Sequence, residues 1–407
     1  MRKLYLNYIS NFSGLSQEIW LLSLVTFINR AGAMVIPFLS LYLVNEKGFT
    51  LPQVGWIMTS FGLGSLVGTW IGGKLTDRWG YYKVIVTSLI LGGLGYIALQ
   101  WMDGFVQICL GVFFLILIAD SYRPAIFVAC DAYSKPENTT RSIALIRLAI
   151  NLGFSIGPVL GGIIIAAMGY ASLFWIDGVS CLAAGLLLFL VLRPRSKNSN
   201  QETEDVAIEG VPPMANRPFL LLFLILVISS IMFVQYFSVM PLYYERAHGL
   251  SEDLIGLLLF LNGAMIVLFE MPLVGWLERI EISKTMATFW SMILLALSFL
   301  VLTLSDWGGV LIIGMILMTL SEMIGSPFAN ALALHMAPKG RKGTYMGLYS
   351  MSFSLAHIFG HNSGMNLVDA FGFELTWYIV FFILLGVAGM TLWLYKVLKN
   401  SPNFKTY

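Results

Sequence analysis

Residues 194–217 read PRSKNSNQETEDVAIEGVPPMANR, and this stretch decides the fold. It is polar, charged and free of aromatics, the composition of a flexible linker. On either side the sequence changes character at once. Six long apolar runs precede it, near 18–44, 53–76, 83–102, 105–131, 141–168 and 170–193. Six follow it, near 218–244, 253–277, 284–304, 308–336, 343–368 and 375–398. A helix that spans a bilayer needs about 20 mostly apolar residues, and each run supplies roughly that length. The spacing predicts an all-α membrane protein with twelve spans, divided into 1–193, the linker 194–217, and 218–407. Composition agrees: 58% of the 407 residues are hydrophobic and 11% charged, where a soluble domain carries about 25% charged. Too few polar residues remain to cover a water-soluble surface. The first run, Ile19 to Val44, is too long for a cleaved signal and long enough to span.

Lys and Arg placement gives an orientation. Lys47 and Arg246 fall in loops on the face opposite the linker, and Arg30, Arg123 and Arg147 fall inside spans. Every other Lys and Arg lies on the linker's face. By the positive-inside rule the linker and both termini are cytoplasmic. The two halves also repeat. Pro37 matches Pro241, Gly55 matches Gly256, Gly73 matches Gly275, Pro124 matches Pro327 and Pro136 matches Pro338. All five pairs sit at nearly one offset, close to half the chain, so each half is a copy of one six-helix unit. Parallel six-helix repeats place a transporter's binding site at the midplane between them.

Several functions are excluded. A net charge of +2 suggests no nucleic-acid partner. Cys109, Cys130 and Cys181 lie apart in apolar runs, with no CxxC or Cys/His cluster, so they read as small apolar fillers. No metal site and no cofactor is implied. The sequence has no HExxH, no GxSxG, no phosphate-gripping loop and no sizeable soluble domain, so an enzyme is not expected.

Between spans two and three stands Gly73-Lys-Leu-Thr-Asp77-Arg78-Trp-Gly80-Tyr-Tyr-Lys83. It resembles the G-x-L-a-D-r-x-G-r-r motif of the major facilitator superfamily, and the resemblance extends over the whole chain. Tyr81 and Tyr82 stand where the family usually has basic residues. The resemblance implies that Gly73 and Gly80 allow close packing and a tight turn. It also implies that Asp77 caps the N-terminus of helix eleven as a gate, with Arg78 or Lys83 pairing Asp131. On span five, Gly153, Gly157 and Gly161 recur every four residues and share a helix face, beside Pro158. This string is similar to the G-x-x-x-G-P-x-x-G-G motif of the superfamily's drug/proton antiporters. Asp120-Ser-Tyr-Arg123-Pro124 partly matches the family's fourth-helix arginine motif; the glycine after the arginine is missing. The proton-coupled peptide transporters' ExxER signature is absent; Phe27-Ile-Asn29-Arg30 stands there.

A charge at mid-bilayer costs at least about 2.5–3.5 kcal/mol, so such residues face a cavity, pair or titrate. The candidates for proton coupling are Asp120, Glu322, Glu270, His357 and His361. Asp120 and Glu322 are equivalent in the repeat, and the two histidines are spaced i, i+4 on one face. By the superfamily's architecture, spans one, four, seven and ten line a central cavity. The candidates for substrate contact are Asn29, Arg30, Arg123, Arg147, Asn151, Gln235, Tyr236 and Asn362, with Tyr243 beside them. An Asp120–Arg123 pair at i, i+3 is the purely structural alternative.

The leading expectation is a proton-coupled antiporter that exports small amphipathic compounds from a bacterial inner membrane, acting as a monomer on a small-molecule substrate, protons and lipid. The alternative is a proton symporter for uptake of peptides, sugars or organic anions, which the three membrane arginines favour.

Overall fold

The computed structural model describes residues 12–194, 211–250 and 252–399. Among these every regular element is helical. Ten helices are long and apolar enough to cross a membrane, and two departures from regular helix account for the other two expected spans. The first span is broken into α1 (Gln17–Ala31) and α2 (Val35–Asn45). The last two spans form one element, α14 (Lys342–Lys399), divided at Gly372, whose φ of +74° and ψ of 173° are open to glycine. The others are α3 (Leu51–Trp79), α4 (Tyr81–Leu99), α5 (Phe105–Asp120), α6 (Tyr122–Tyr133), α7 (Thr139–Met168) and α8 (Ala171–Val191) in the first half. In the second half come α9 (Arg217–Ser238), α10 (Met240–His248), α11 (Glu252–Arg279), α12 (Lys284–Val301) and α13 (Gly309–Met336). Large apolar side chains such as Trp56, Leu190 and Phe260 stand about two-thirds exposed. In water that would be an aggregation liability; it is the surface a lipid-embedded protein needs. The chain is an integral membrane protein.

Proline places the breaks. Pro37, Pro124 and Pro241 have no N–H to give to the carbonyl four residues back. Helix stops just before each: at Ala31, at Asp120 and at Ser238. Pro272 and Pro327 are instead carried inside continuous helices.

The helices gather into two compact units. One holds 14–194 and 337–351; the other holds 12–13, 211–336 and 352–399. Relative to a cut at the linker, 337–351, the start of the eleventh span, belongs with the first six, and 12–13 with the second unit.

In the first unit, small residues set helix spacing. A Cβ at Gly64, Gly68 or Gly72 of α3 would stand 2.4–2.5 Å from backbone atoms of Phe113, Leu117 or Ser121. The two helices are therefore in backbone contact. The glycine face of α7 packs on the broken first span. A Cβ at Gly153 would meet Arg30 Cβ at 2.5 Å, one at Gly157 the Ala31 carbonyl at 3.3 Å, and one at Gly161 the Phe38 ring at 2.8 Å. The second unit has an aromatic core. The Tyr236 ring lies 4.8 Å from that of Phe299, and Trp377 lies 5.4 Å from Phe299 and 5.5 Å from Tyr243.

Candidate functional site

Asp120 ends α5, where Pro124 stops the helix. Its carboxylate faces three neighbours of the first unit. Ser65 Oγ of α3 donates to Oδ2. Arg123 Nε, one turn on, lies 3.3 Å from Oδ1. Arg30 of α1 is within electrostatic reach of both Asp120 and Arg123. Tyr122 and Thr26 hydroxyls, 2.7 Å apart, tie α6 to α1 beside this cluster. The expected Asp120–Arg123 pair is thus present. Arg30 stands differently: its guanidinium lies over the Phe154 ring at 5.3 Å, and its Nε is buried with no hydrogen-bond partner. Asn151 Nδ2, on α7, is likewise buried and unpartnered. Leaving a buried donor unsatisfied costs about 1–3 kcal/mol. Arg147 lies on the same face of α7, one turn before Asn151. Asn29 donates to Cys181 Sγ at 3.3 Å and so bridges α1 to α8.

The sequence reading missed Asp177. It sits on α8 with no exposed surface, and each carboxylate oxygen takes a backbone N–H at the first-span break: Met34 N at 2.9 Å and Val35 N at 2.6 Å. These N–H groups open α2 and have no helical partner. A buried carboxylate satisfies both and is favoured by the helix dipole. Gly32 completes the break, because a Cβ there would lie 1.9 Å from Ser180 Oγ. The only sequence signal was an acidic residue in an apolar run with no basic residue within a turn.

At the linker-side end of the first unit, Asp77 makes a similar contact. Its Oδ1 accepts from Gly343 N at 2.6 Å and its Oδ2 from Thr344 N at 2.7 Å, with Thr344 Oγ1 also donating. This is the cap on the eleventh span that the motif implies. Gly73 lets the elements touch, since a Cβ there would meet the Gly343 carbonyl at 2.5 Å. Gly80 follows α3 with φ +86°, making the turn into α4. Asp131 pairs with Lys342, which corrects the expectation of Arg78 or Lys83. Lys342 opens α14 beside the Asp77 cap, whereas Arg78 stands exposed.

In the second unit, Glu322 of α13 accepts from Asn262 Nδ2 of α11 at 3.1 Å, and the same amide reaches Thr319 Oγ1 at 3.1 Å. Glu270 has no exposed surface. Gln235 and Tyr236, expected to touch substrate, are packing residues here, and this corrects the reading. Gln235 is 2% exposed, and its Nε2 donates to the Ile231 and Gly360 carbonyls at 2.9 Å each. Tyr236 is wholly buried, and its hydroxyl reaches the Ser298 and Gly314 carbonyls at 3.1 and 3.3 Å. Tyr243 OH likewise donates to the Leu302 carbonyl at 3.1 Å. His357 is exposed. The side chains of Pro158, His361 and Asn362 lie outside the described residues. No group of three or more His, Cys, Asp or Glu among the described residues could hold a metal.

The all-helical membrane fold agrees with what comparison finds. The sequence profile of the Major Facilitator Superfamily matches residues 19–361 and again 246–406. A Na(+), Li(+), K(+)/H(+) antiporter of Planococcus maritimus is 22% identical over 87% of this chain and 90% of its own. The multidrug resistance protein MdtH of Aeromonas hydrophila is 24% identical over 86% and 87%. Among solved structures, a bacterial homologue of the iron transporter ferroportin in the outward-facing state superimposes with a TM-score of 0.75 at 18% identity, covering 94% of this chain and all of that one. That likeness establishes the fold. The profile, which covers most of the chain, establishes the family: this protein belongs to the Major Facilitator Superfamily of membrane transporters and is not an enzyme.

Proposed function

We propose that this chain is a proton-coupled secondary transporter that exports small amphipathic compounds in exchange for protons by alternating access. It would act as a monomer in a bacterial inner membrane, with both termini cytoplasmic. The observation that carries the reading is the pair of repeat-related carboxylates. Asp120 and Glu322 lie within apolar spans, and each is held by a neutral donor of a neighbouring helix, Ser65 or Asn262. Hydroxyls and amides can serve a carboxylate in either protonation state. The names of the antiporter and multidrug relatives support the same reading. In this cycle Asp77 and Gly73 act as the gate, holding the start of the eleventh span in one state and releasing it in the other. Gly153, Gly157 and Gly161 give the first span its close bearing surface.

One observation favours a second reading, proton-coupled uptake of peptides, sugars or organic anions. Arg30 carries a charge in the first unit with its Nε buried and without an acceptor, a donor suited to an anionic rather than a purely cationic substrate.

The test uses proteoliposomes with an internal pH dye and an imposed pH gradient. Lipophilic cations and amphipathic acids are offered in turn. Proton flux opposite to the solute is expected, and flux in the same direction would replace export with uptake. Glu322→Gln should lose gradient-driven accumulation and keep solute exchange. Normal pH-driven accumulation by that variant would remove Glu322 from coupling.

A further inference from the structure

We propose that Arg30 and Asn151 form a receptor for the acidic group of the substrate, so that the solutes carried are amphipathic organic acids with a carboxylate at Arg30 and an aromatic or aliphatic body along Phe154. The inference rests on the reading that the chain carries a small solute, and is independent of its direction.

Two hydrogen-bond donors of the first unit are buried without acceptors. They are Arg30 Nε and Asn151 Nδ2. They come from helices in direct contact, since a Cβ on Gly153 would overlap Arg30 Cβ at 2.5 Å. Asn151 precedes Phe154 by three residues and so shares its helix face. The Arg30 guanidinium lies over that same Phe154 ring. The donors therefore converge on one stretch of α7. Their neighbours do not supply the missing acceptor. Asp120 is already engaged by Arg123 and Ser65, and Asp177 by the N–H groups of Met34 and Val35, so neither carboxylate gives Arg30 Nε an acceptor. Buried donors are nearly always satisfied, and an arginine Nε buried without an acceptor, as at Arg30, is the rarer case still. A ligand carboxylate supplies both the charge and the acceptors. Guanidinium is the side chain best shaped to take it, because its forked N–H groups match the two oxygens. Phe154, 46% exposed, offers an apolar face beside the charge.

The test measures thermal unfolding of the purified full-length chain in detergent against aryl carboxylates of increasing size (benzoate, phenylacetate, naphthylacetate). Each is set beside its uncharged primary amide of nearly the same shape. The wild type should bind the best acid about tenfold or more tightly than its amide, the factor expected of charge-assisted hydrogen bonds. Arg30→Gln should erase that preference. Asn151→Asp places a carboxylate beside Arg30; it should also erase the preference while leaving the unliganded protein at least as heat-stable as the wild type. Loss of binding there cannot be put down to misfolding. If no acid in the series is preferred over its amide, or if both variants keep the preference, the proposal fails. Acids that bind with the expected preference yet are not moved across liposomes would leave the receptor standing and sink the transport reading instead.

Discussion

The two halves break their first helix at the same place and hold the break by opposite means. In the first half, the ladder breaks ahead of Pro37, and the buried N–H groups of Met34 and Val35 are taken by the carboxylate of Asp177. In the second half the ladder ends before Pro241, the Val239 N–H still reaches the Gln235 carbonyl at 3.0 Å, and the N-cap Val239 has no side-chain cap bond of its own. There the break is wedged by rings: Tyr236, Phe299, Trp377 and Tyr243 stack in edge and tilted pairs. The Gln235 amide pins the helix to the Gly360 carbonyl. One break is held by charge, the other by shape. A shape-filled joint responds to little besides volume, whereas a charge-held joint can be loosened by a proton or a competing ion. Duplication supplied two equivalent joints, and the first is held by a carboxylate where the second is held by rings.

The largest expected effect tests the charge-held joint. Asp177→Leu leaves the buried Val35 N–H without an acceptor and the Met34 N–H with only the Gly32 carbonyl, at a cost of about 1–3 kcal/mol. It should lower the unfolding midpoint in detergent far more than Asp177→Asn, which keeps one acceptor. An Asp177→Leu protein as heat-stable as the wild type would show that the carboxylate is not what holds the break. Next comes the glycine that admits it. Gly32→Ala drives a methyl into Ser180 and should destabilise by about 1–3 kcal/mol, with Ser180→Gly in the same chain restoring part of the loss. If the double variant is no better than Gly32→Ala, the contact is not the cause. The smallest stability effect is expected at Asp77, which caps a helix at the end of a span rather than inside one. Asp77→Asn should cost only about 1–2 kcal/mol yet slow turnover several-fold in liposomes. Unchanged turnover would mean that this cap is structural and not a gate.

How much of this could be read beforehand depends on how far the partner lies along the chain. The spans follow from run length, but the breaks near Pro37, Pro124 and Pro241 do not, because Pro272 and Pro327 lack the same N–H and are carried inside continuous helices. Asp77 was legible through its motif, and its partners are the N–H groups of helix eleven as that motif implies. Asp177 was not, because it binds backbone groups 142 and 143 residues away, and backbone N–H groups leave no letter in the sequence. Ser65 and Asn262 were missed for a related reason: a single hydroxyl or amide in an apolar helix gives no hint of which carboxylate it serves. Gln235 and Tyr236 were misread because their helix was right and their face was not. Hydropathy in a span that is apolar all round has almost no periodicity from which to choose a face.

The contact between Asp77 and Gly343 also has a meaning in time. The two residues are 266 positions apart, and a ribosome adds about 5–20 residues per second. The first unit waits on the order of tens of seconds for 337–351, the stretch that completes it, to be made. Through that interval the Asp77 carboxylate and the glycine faces beside it have no partner. The nascent half-protein is therefore a distinct species with its own exposed surface, open to insertion chaperones and quality-control proteases. Substitutions in 337–351 should be felt first in how much protein reaches the membrane.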